Sequence, residues 1–309
     1  MKTVPLHPTA SGRAPRGAQV HHFTVDVEEY FHASALASVA PMPVWDRLES
    51  RVVASTMSLV ELLAESGARG TFFVLGWVAE RNPGLVRALA AHGHEVASHG
   101  WDHRLITDSK PPEFRESVRR SKAVLESLAG RAVLGFRAPS FSIVRGQEWA
   151  LDVLLEEGYR YDSSLFPVRR RGYGYAGGAW QPHWLERPAG RLFEVPPATL
   201  RGLGASLPAG GGAYFRLLPY GLVRSALLQH ERRGTPGTFY IHPWEVDEAQ
   251  PRLGVSRLTR VRHYGGLERT RPRLRRLLRE FRFRTIAETL GAEPQPTHAD
   301  DPEALASTG

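Results

Sequence analysis

Short runs of β-branched and aromatic residues recur along the chain, and between them apolar residues fall three and four positions apart. The first pattern marks buried strands and the second amphipathic helices, so their alternation predicts repeated βα units on a parallel sheet. The strands fall at 20–26, 69–74, 94–98, 133–137, 159–162, 192–196 and 238–241. One helix runs from about Arg51 to Glu65, with Val53, Met57, Val60 and Leu63 or Ala64 on one face. Asn82-Pro83 opens a second, Asn as cap and Pro at the first helical position, and Gly93 closes it. Two more run from about Pro112 to Leu128 and from Gln147 to Glu157, the last stopped by Gly158. The pattern predicts an α/β fold: a distorted (β/α)7 barrel with parallel strands and a short C-terminal helical extension.

Residues 1–19 lack an apolar run and read as a disordered N-terminal segment, with the barrel at 20–250. Within it, 168–191 and 201–213 are Gly-rich, aperiodic stretches that read as long functional loops. A basic extension at 251–290 is expected to pack on the barrel, and 291–309 reads as a disordered tail.

A length of 309 residues suits one such barrel. Cysteine is absent, so disulfides and thiolate metal sites are excluded and any metal must be held by nitrogen and oxygen. Neither a secretory apolar core nor a membrane-length apolar run occurs, so the expectation is a cytoplasmic protein, at most membrane-peripheral. The net charge of +8 is carried by arginine, the lysines being Lys2, Lys110 and Lys122. Twelve arginines lie between Arg252 and Arg284 against two acids, Glu268 and Glu280. Leu274, Leu277, Leu278 and Phe281 fall at helical spacing among them. The apolar stripe should pack on the barrel with the arginines solvated; the sharper alternative is that 252–284 binds phosphate or an anionic membrane surface. No nucleic-acid motif accompanies the charge, so nucleic acid is not an expected partner.

Asp26, His99, Arg137, Asp162 and His242 each fall at or just past the C-terminal end of a different predicted strand, which in a β/α barrel is the catalytic face. With Glu28 and His103 they form a kit for metal-assisted hydrolysis. Each alone has a bland reading: a solvated strand end for the carboxylates, an ordinary ion pair for Arg137, a core histidine for His242, a turn for Asp162. Only their joint order carries weight. His21, His22, His32, His94, His183 and His263 stay outside the set.

The motifs resemble those of polysaccharide deacetylases of carbohydrate esterase family 4, the chitooligosaccharide-deacetylase homology family. Thr24-Val25-Asp26-Val27-Glu28 is similar to the family's first motif, His99-Gly100-Trp101-Asp102-His103 to its paired-histidine metal motif, and Arg137-Ala138-Pro139-Ser140 to its third. Tyr161-Asp162-Ser163-Ser164 and Ile241-His242 resemble the last two. Asp26 through His32, Tyr214 through Tyr220 and His263 through Leu267 are similar to a subgroup encoded beside exosortase and exopolysaccharide loci.

The resemblance implies a hydrolase that removes N-acetyl groups from amino sugars of an exopolysaccharide or its precursor, releasing acetate. One divalent ion is implied, zinc first, with cobalt, manganese or nickel as alternatives. Glu28, His99 and His103 would be its ligands, the two histidines sharing a face if the segment makes a helical turn. Asp26 would be the general base, held and oriented by Arg137, and Asp162 would anchor Arg137. His242 would protonate the leaving amine, and a backbone N–H near Ser140, with Ile241, would serve the oxyanion and substrate. The partner would be an N-acetylated glycan or a lipid- or nucleotide-linked sugar. Two departures stand out: position 27 is Val, making Glu28 the second carboxylate with Glu29 as the competing ligand, and the acetyl-pocket aromatic is Phe166 or Trp180. Two other functions stay open, an amidohydrolase of a small cyclic or linear amide and a non-catalytic glycan-binding relative.

Overall fold

The computed structural model describes residues 2–5, 19–170, 172–202 and 205–291. In chain order the strands are β1 (Lys2–Pro5), β2 (Val20–Val27), β3 (Thr71–Val74), β4 (Glu95–Ser98), β5 (Gly135–Phe136), β6 (Tyr161–Asp162), β7 (His183–Arg187), β8 (Gly190–Glu194), β9 (Thr199–Gly202), β10 (Ala205–Pro208), β11 (Thr238–Ile241) and β12 (Arg282–Arg284). The helices are α1 (Val52–Glu65), α2 (Gly76–Arg81), α3 (Pro83–Ala91), α4 (Pro111–Ala129), α5 (Trp149–Glu156), α6 (Gly212–Leu217), α7 (Tyr220–Glu231), α8 (Arg257–Tyr264), α9 (Thr270–Glu280) and α10 (Ile286–Leu290).

The main sheet runs β1-β7-β8-β6-β5-β4-β3-β2-β11. Every pairing from β8 to β11 is parallel, and these strands are the seven that the apolar runs predict. No ladder joins β8 to β11 among the described residues; the chain beyond β8 meets β11 at the isolated bridges Pro197↔Thr238 and Gly211↔Tyr240. The fold is therefore mixed α/β, a mostly parallel sheet wound as a seven-stranded barrel with one open seam.

Strand alternation sorts β2 into two faces. Phe23, Val25 and Val27 join the main core beneath the helices, while His22, Thr24 and Asp26 face the interior. That interior is filled by Phe73, Ala97, Leu134, Tyr161, Phe193 and Val195. Burial on both faces is why these strands read as nearly continuous apolar runs. Gly135 is needed for close approach: a Cβ there would sit 1.9 Å from the Tyr161 ring.

The C-terminal segment plugs the end of the barrel opposite the candidate site. β12 runs beside the first half of β2, and Ile286 of α10 enters the interior cluster. Glu95, buried there, accepts from Tyr161 Oη (2.7 Å), Thr71 Oγ1 (2.6 Å) and the Ala287 N–H (3.0 Å). α9 buries Leu274, Leu277 and Leu278 in the main core, and at the surface Arg275 and Arg276 pair with Glu65 and Glu280.

Several expectations differ from what the fold shows. Asn82 holds the N-cap position of α3 with Pro83 in the first turn, as expected, but its side chain makes no cap bond; its amide donates back to the Val78 carbonyl (3.2 Å) and closes α2, a helix the pattern did not predict. The stretches 168–191 and 201–213 contain β7 and most of the β9–β10 hairpin. Lys2–Pro5, within the segment read as unstructured, pairs antiparallel with β7. Edge pairing satisfies backbone N–H and C=O groups and needs no apolar periodicity, which is why the pattern missed it. The rest of 1–19 up to residue 18, and 292–309, lie outside the described residues. No described helix is long and apolar enough to cross a membrane.

Overpacking at a strand crossing of this kind costs about 1–3 kcal/mol. Gly135→Ala is expected to lower the unfolding free energy by that amount, read as a lower urea midpoint at an unchanged denaturant slope.

Candidate active site

Asp26 closes the inward row of β2, Glu28 follows it, and His99, Arg137 and His242 follow β4, β5 and β11 directly. Glu28, His99 and His103 each offer one ligand atom, and the three atoms lie within 4.8 Å of one another. The histidines reach this point without a helical turn, which corrects the sequence expectation. Gly100 (φ 78°) and His103 (φ 57°) are left-handed, and the loop between them is clamped by Gly76 N–H to Gly100 C=O and Trp77 N–H to Trp101 C=O, both 2.9 Å.

The donor set fits a divalent cation. His99 Nδ1 is 2.8 Å from the Arg137 carbonyl, so that nitrogen carries the proton and Nε2 is left as a lone-pair donor. Burial, aided by neighbouring His103, pulls the His99 pKa down to about 4, favouring the neutral, ligating form. Glu28 Oε1 accepts from the Trp244 indole (3.1 Å). Its Oε2 lies 2.7 Å from His103 Nε2, yet the contact lacks hydrogen-bond geometry and the buried oxygen is left without a hydrogen-bond partner. Burial acts to raise the Glu28 pKa, but His103, His242 and His99 outweigh it and hold the carboxyl well below its ordinary range. One carboxylate oxygen and two imidazole nitrogens, with no thiolate, suit zinc and its neighbours. Glu29 is occupied elsewhere: it accepts from Ser50 Oγ (2.5 Å) and from the Arg51 and Val52 N–H groups at the start of α1.

Arg137, fully buried, donates through Nη1 to Asp26 Oδ1 (2.7 Å) and Thr24 Oγ1 (2.8 Å). Its other nitrogens go to Ser163, Nη2 to the hydroxyl (2.8 Å) and Nε to the carbonyl (3.2 Å). The expected anchor, Asp162, is therefore replaced by its neighbour Ser163. Asp162 instead accepts from Ser164 Oγ (2.6 Å), whose oxygen in turn takes the Ala138 N–H (2.8 Å). It also faces Glu194 across the β6–β8 ladder. Burial raises the pKa of both carboxyls, and Asp162 pushes that of Glu194 up further.

His242 Nε2 stands 3.8 Å from Asp26 Oδ2 and 3.7 Å from Glu28 Oε1. Its Nδ1 bonds Glu245 Oε1 at 2.7 Å, and Glu245 Oε2 takes Arg216 Nε at 2.6 Å with both side chains buried. Burial alone would lower the His242 pKa, but Glu28, Glu245 and Asp26 overcome it and hold it up at about 9. Glu245 and Arg216 were missed in the sequence. The His242-Pro-Trp-Glu245 spacing, a capping box, was a usable signal for the first; Arg216 lies within the Tyr214–Tyr220 motif, which gave it no role of its own.

Ser140 and Phe141 are consecutive non-glycine residues at φ 53°, and Ser140 Oγ bonds Ser34 Oγ (2.8 Å) at the rim. Ile241 does not line the site: alternation along β11 points Tyr240 and His242 inward and sends Ile241 into the main core. Phe166 packs with Phe141 and Tyr240 beside the site, whereas Trp180 packs on His230. His32 and His263 are buried neighbours, His263 stacked 4.3 Å from Trp244.

Residues 45–160 match the polysaccharide deacetylase family, and 163–291 match a domain of unknown function, DUF3473. A peptidoglycan-N-acetylglucosamine deacetylase of Bacillus cereus is 30% identical over 98 residues, 31% of this chain and 36% of that protein. A chitooligosaccharide deacetylase of Azorhizobium caulinodans is 33% identical over 85 residues, 27% of this chain and 40% of that one. The chain thus covers well under two thirds of these relatives. In fold it is similar to a Mycobacterium smegmatis protein classed as a polysaccharide deacetylase (TM-score 0.61, 21% identity, 94% of each chain). It is also similar to Puue allantoinase (TM-score 0.54, 16% identity, 86% of this chain and 88% of that one). The chain carries a polysaccharide deacetylase domain of carbohydrate esterase family 4.

Two measurements test the geometry. Glu28→Ala should abolish binding of one equivalent of zinc in calorimetry, while Glu29→Ala should keep it and lose about 1–3 kcal/mol of folding stability. The raised Asp162 and Glu194 values mean that the folded protein holds a proton the unfolded chain releases. That contribution is full below the ordinary carboxylate pKa and is lost as pH rises toward the raised value. Glu194→Gln should therefore flatten the decline in stability that denaturation of the parent is expected to show as pH rises above the ordinary carboxylate range.

Proposed function

We propose that this chain is a metal-dependent N-deacetylase that releases acetate from an N-acetylated amino sugar of an exopolysaccharide or its precursor. The observation that carries the reading is convergence: the Glu28–His99–His103 cluster, the Arg137-bound carboxylate of Asp26 and the His242 imidazole face one point. A divalent ion held by Glu28, His99 and His103 would supply a water of lowered pKa and polarise the amide carbonyl.

The chain's own groups handle the protons. Asp26, fixed through Oδ1 by Arg137, presents Oδ2 as the base that takes the proton of the attacking water. The water oxygen adds to the acetyl carbon and the carbon–nitrogen bond breaks. His242 gives its Nε2 proton to the departing amine, and the Glu245–Arg216 pair holds Nδ1–H and keeps the imidazolium available near neutral pH. The Ser140 backbone, on its left-handed turn, borders the developing oxyanion. Phe166, Phe141 and Tyr240 form an apolar wall suited to a methyl group.

Metal-stripped protein should release no acetate from N-acetylhexosamine oligosaccharides until zinc, cobalt, manganese or nickel is added. Asp26→Asn and His242→Ala should each lower kcat by about a hundredfold to ten-thousandfold. Metal binding at the histidines without acetate release from any glycan would overturn the proposal.

A further inference from the structure

We propose that the outer face of α8, with the end of α6, docks on an anionic lipid surface beside the mouth of the site. Among the described residues six large apolar side chains are exposed; Val39 and Met42 lie between β2 and α1, Leu217 ends α6, and Leu258 and Val261 lie on α8 beyond β11. The two most exposed, Leu258 at 79% and Val261 at 60%, stand three residues apart on α8 and so share a face.

The same helix is basic without compensation. From Pro251 to Leu267 the chain carries Arg252, Arg257, Arg260 and Arg262 and no acid. Arg257 and Arg260 are exposed and have no carboxylate partner among the described residues. Most arginines of α9 behave differently: Arg275 and Arg276 are paired with Glu65 and Glu280, Arg271 and Arg273 donate to backbone carbonyls, and Arg279 is the one left exposed without a carboxylate partner among the described residues.

The inner side of α8 is fixed. His263 stacks on Trp244 at 4.3 Å and Trp244 on His242 at 5.0 Å, while the Gly265 carbonyl accepts from Arg216. Only the outer side lacks a partner. Protruding aliphatic side chains bordered by arginines are the composition of an interfacial helix, the aliphatics entering the acyl boundary and the guanidiniums meeting headgroup phosphates. Apolar residues spread over three rim segments match a planar surface better than the groove of one partner helix.

The inference does not depend on the deacetylase reading. The full chain should sediment with phosphatidylcholine vesicles that contain phosphatidylglycerol, sediment poorly with phosphatidylcholine alone, and release as salt rises. Arg257→Glu/Arg260→Glu should weaken binding by roughly thirtyfold or more. Leu258→Glu/Val261→Glu should abolish it at an unchanged unfolding midpoint. Equal binding to both vesicles, no binding to either, or unaffected binding by both variants would sink the idea. Sedimentation velocity without lipid supplies a further check: a dimer dissolved by Leu258→Glu would give this face to a second copy of the chain.

Discussion

The guanidinium of Arg137 is the group on which the rest of the site depends. It is fully buried, so its charge is tolerated only with complete hydrogen bonding and a carboxylate partner. Those bonds tie β2, through Thr24 and Asp26, to the segment after β6, through Ser163. The Arg137 carbonyl meanwhile orients His99 beyond β4. One residue thereby sets the position of the Asp26 carboxylate and the tautomer of His99. Removing it would leave a buried carboxylate unpaired and three strand ends unregistered, so its loss would be felt in the fold as well as in the chemistry.

A second buried pair serves His242 from the opposite side. Arg216 comes from α6 and Glu245 from the turn after β11, and neither touches the point where the other groups converge. Asp26 and His242 thus have separate guanidinium supports. Arg137 bonds Asp26 and Arg216 bonds Glu245, so each of these buried carboxylates beside His242 is matched by its own buried cation, a division that a shared arginine could not give.

Much of this was legible in the chain. Parallel strands buried on both faces leave dense apolar runs, so all seven were found, and their C-terminal ends located Asp26, His99, Arg137 and His242. What failed was information held in tertiary contacts. Ser163 rather than Asp162 holds Arg137 because the strand's alternation turns the aspartate toward Glu194, a neighbour more than thirty residues distant. Ile241 was assigned by adjacency to His242 although the same alternation turns it to the core. Glu29 and Glu28 are separated by what surrounds them: the N-terminus of α1 claims one, the imidazoles the other. The edge strand β1 and the β9–β10 hairpin are set by backbone pairing, which side-chain periodicity does not report.

The plug at the base of the barrel has a kinetic meaning. β12 pairs with the beginning of β2, so the first parallel strand is completed by almost the last described residues of the chain. Until those residues are available, Glu95 and the polar row that begins at His22 face an open end. During synthesis the barrel must wait, partly assembled and with its floor missing, for residues 282–287 to leave the ribosome. Contacts spanning most of the sequence also place the molecule among slow folders. The strand that carries Asp26 at its top is thus completed at its bottom by residues made more than 250 positions later.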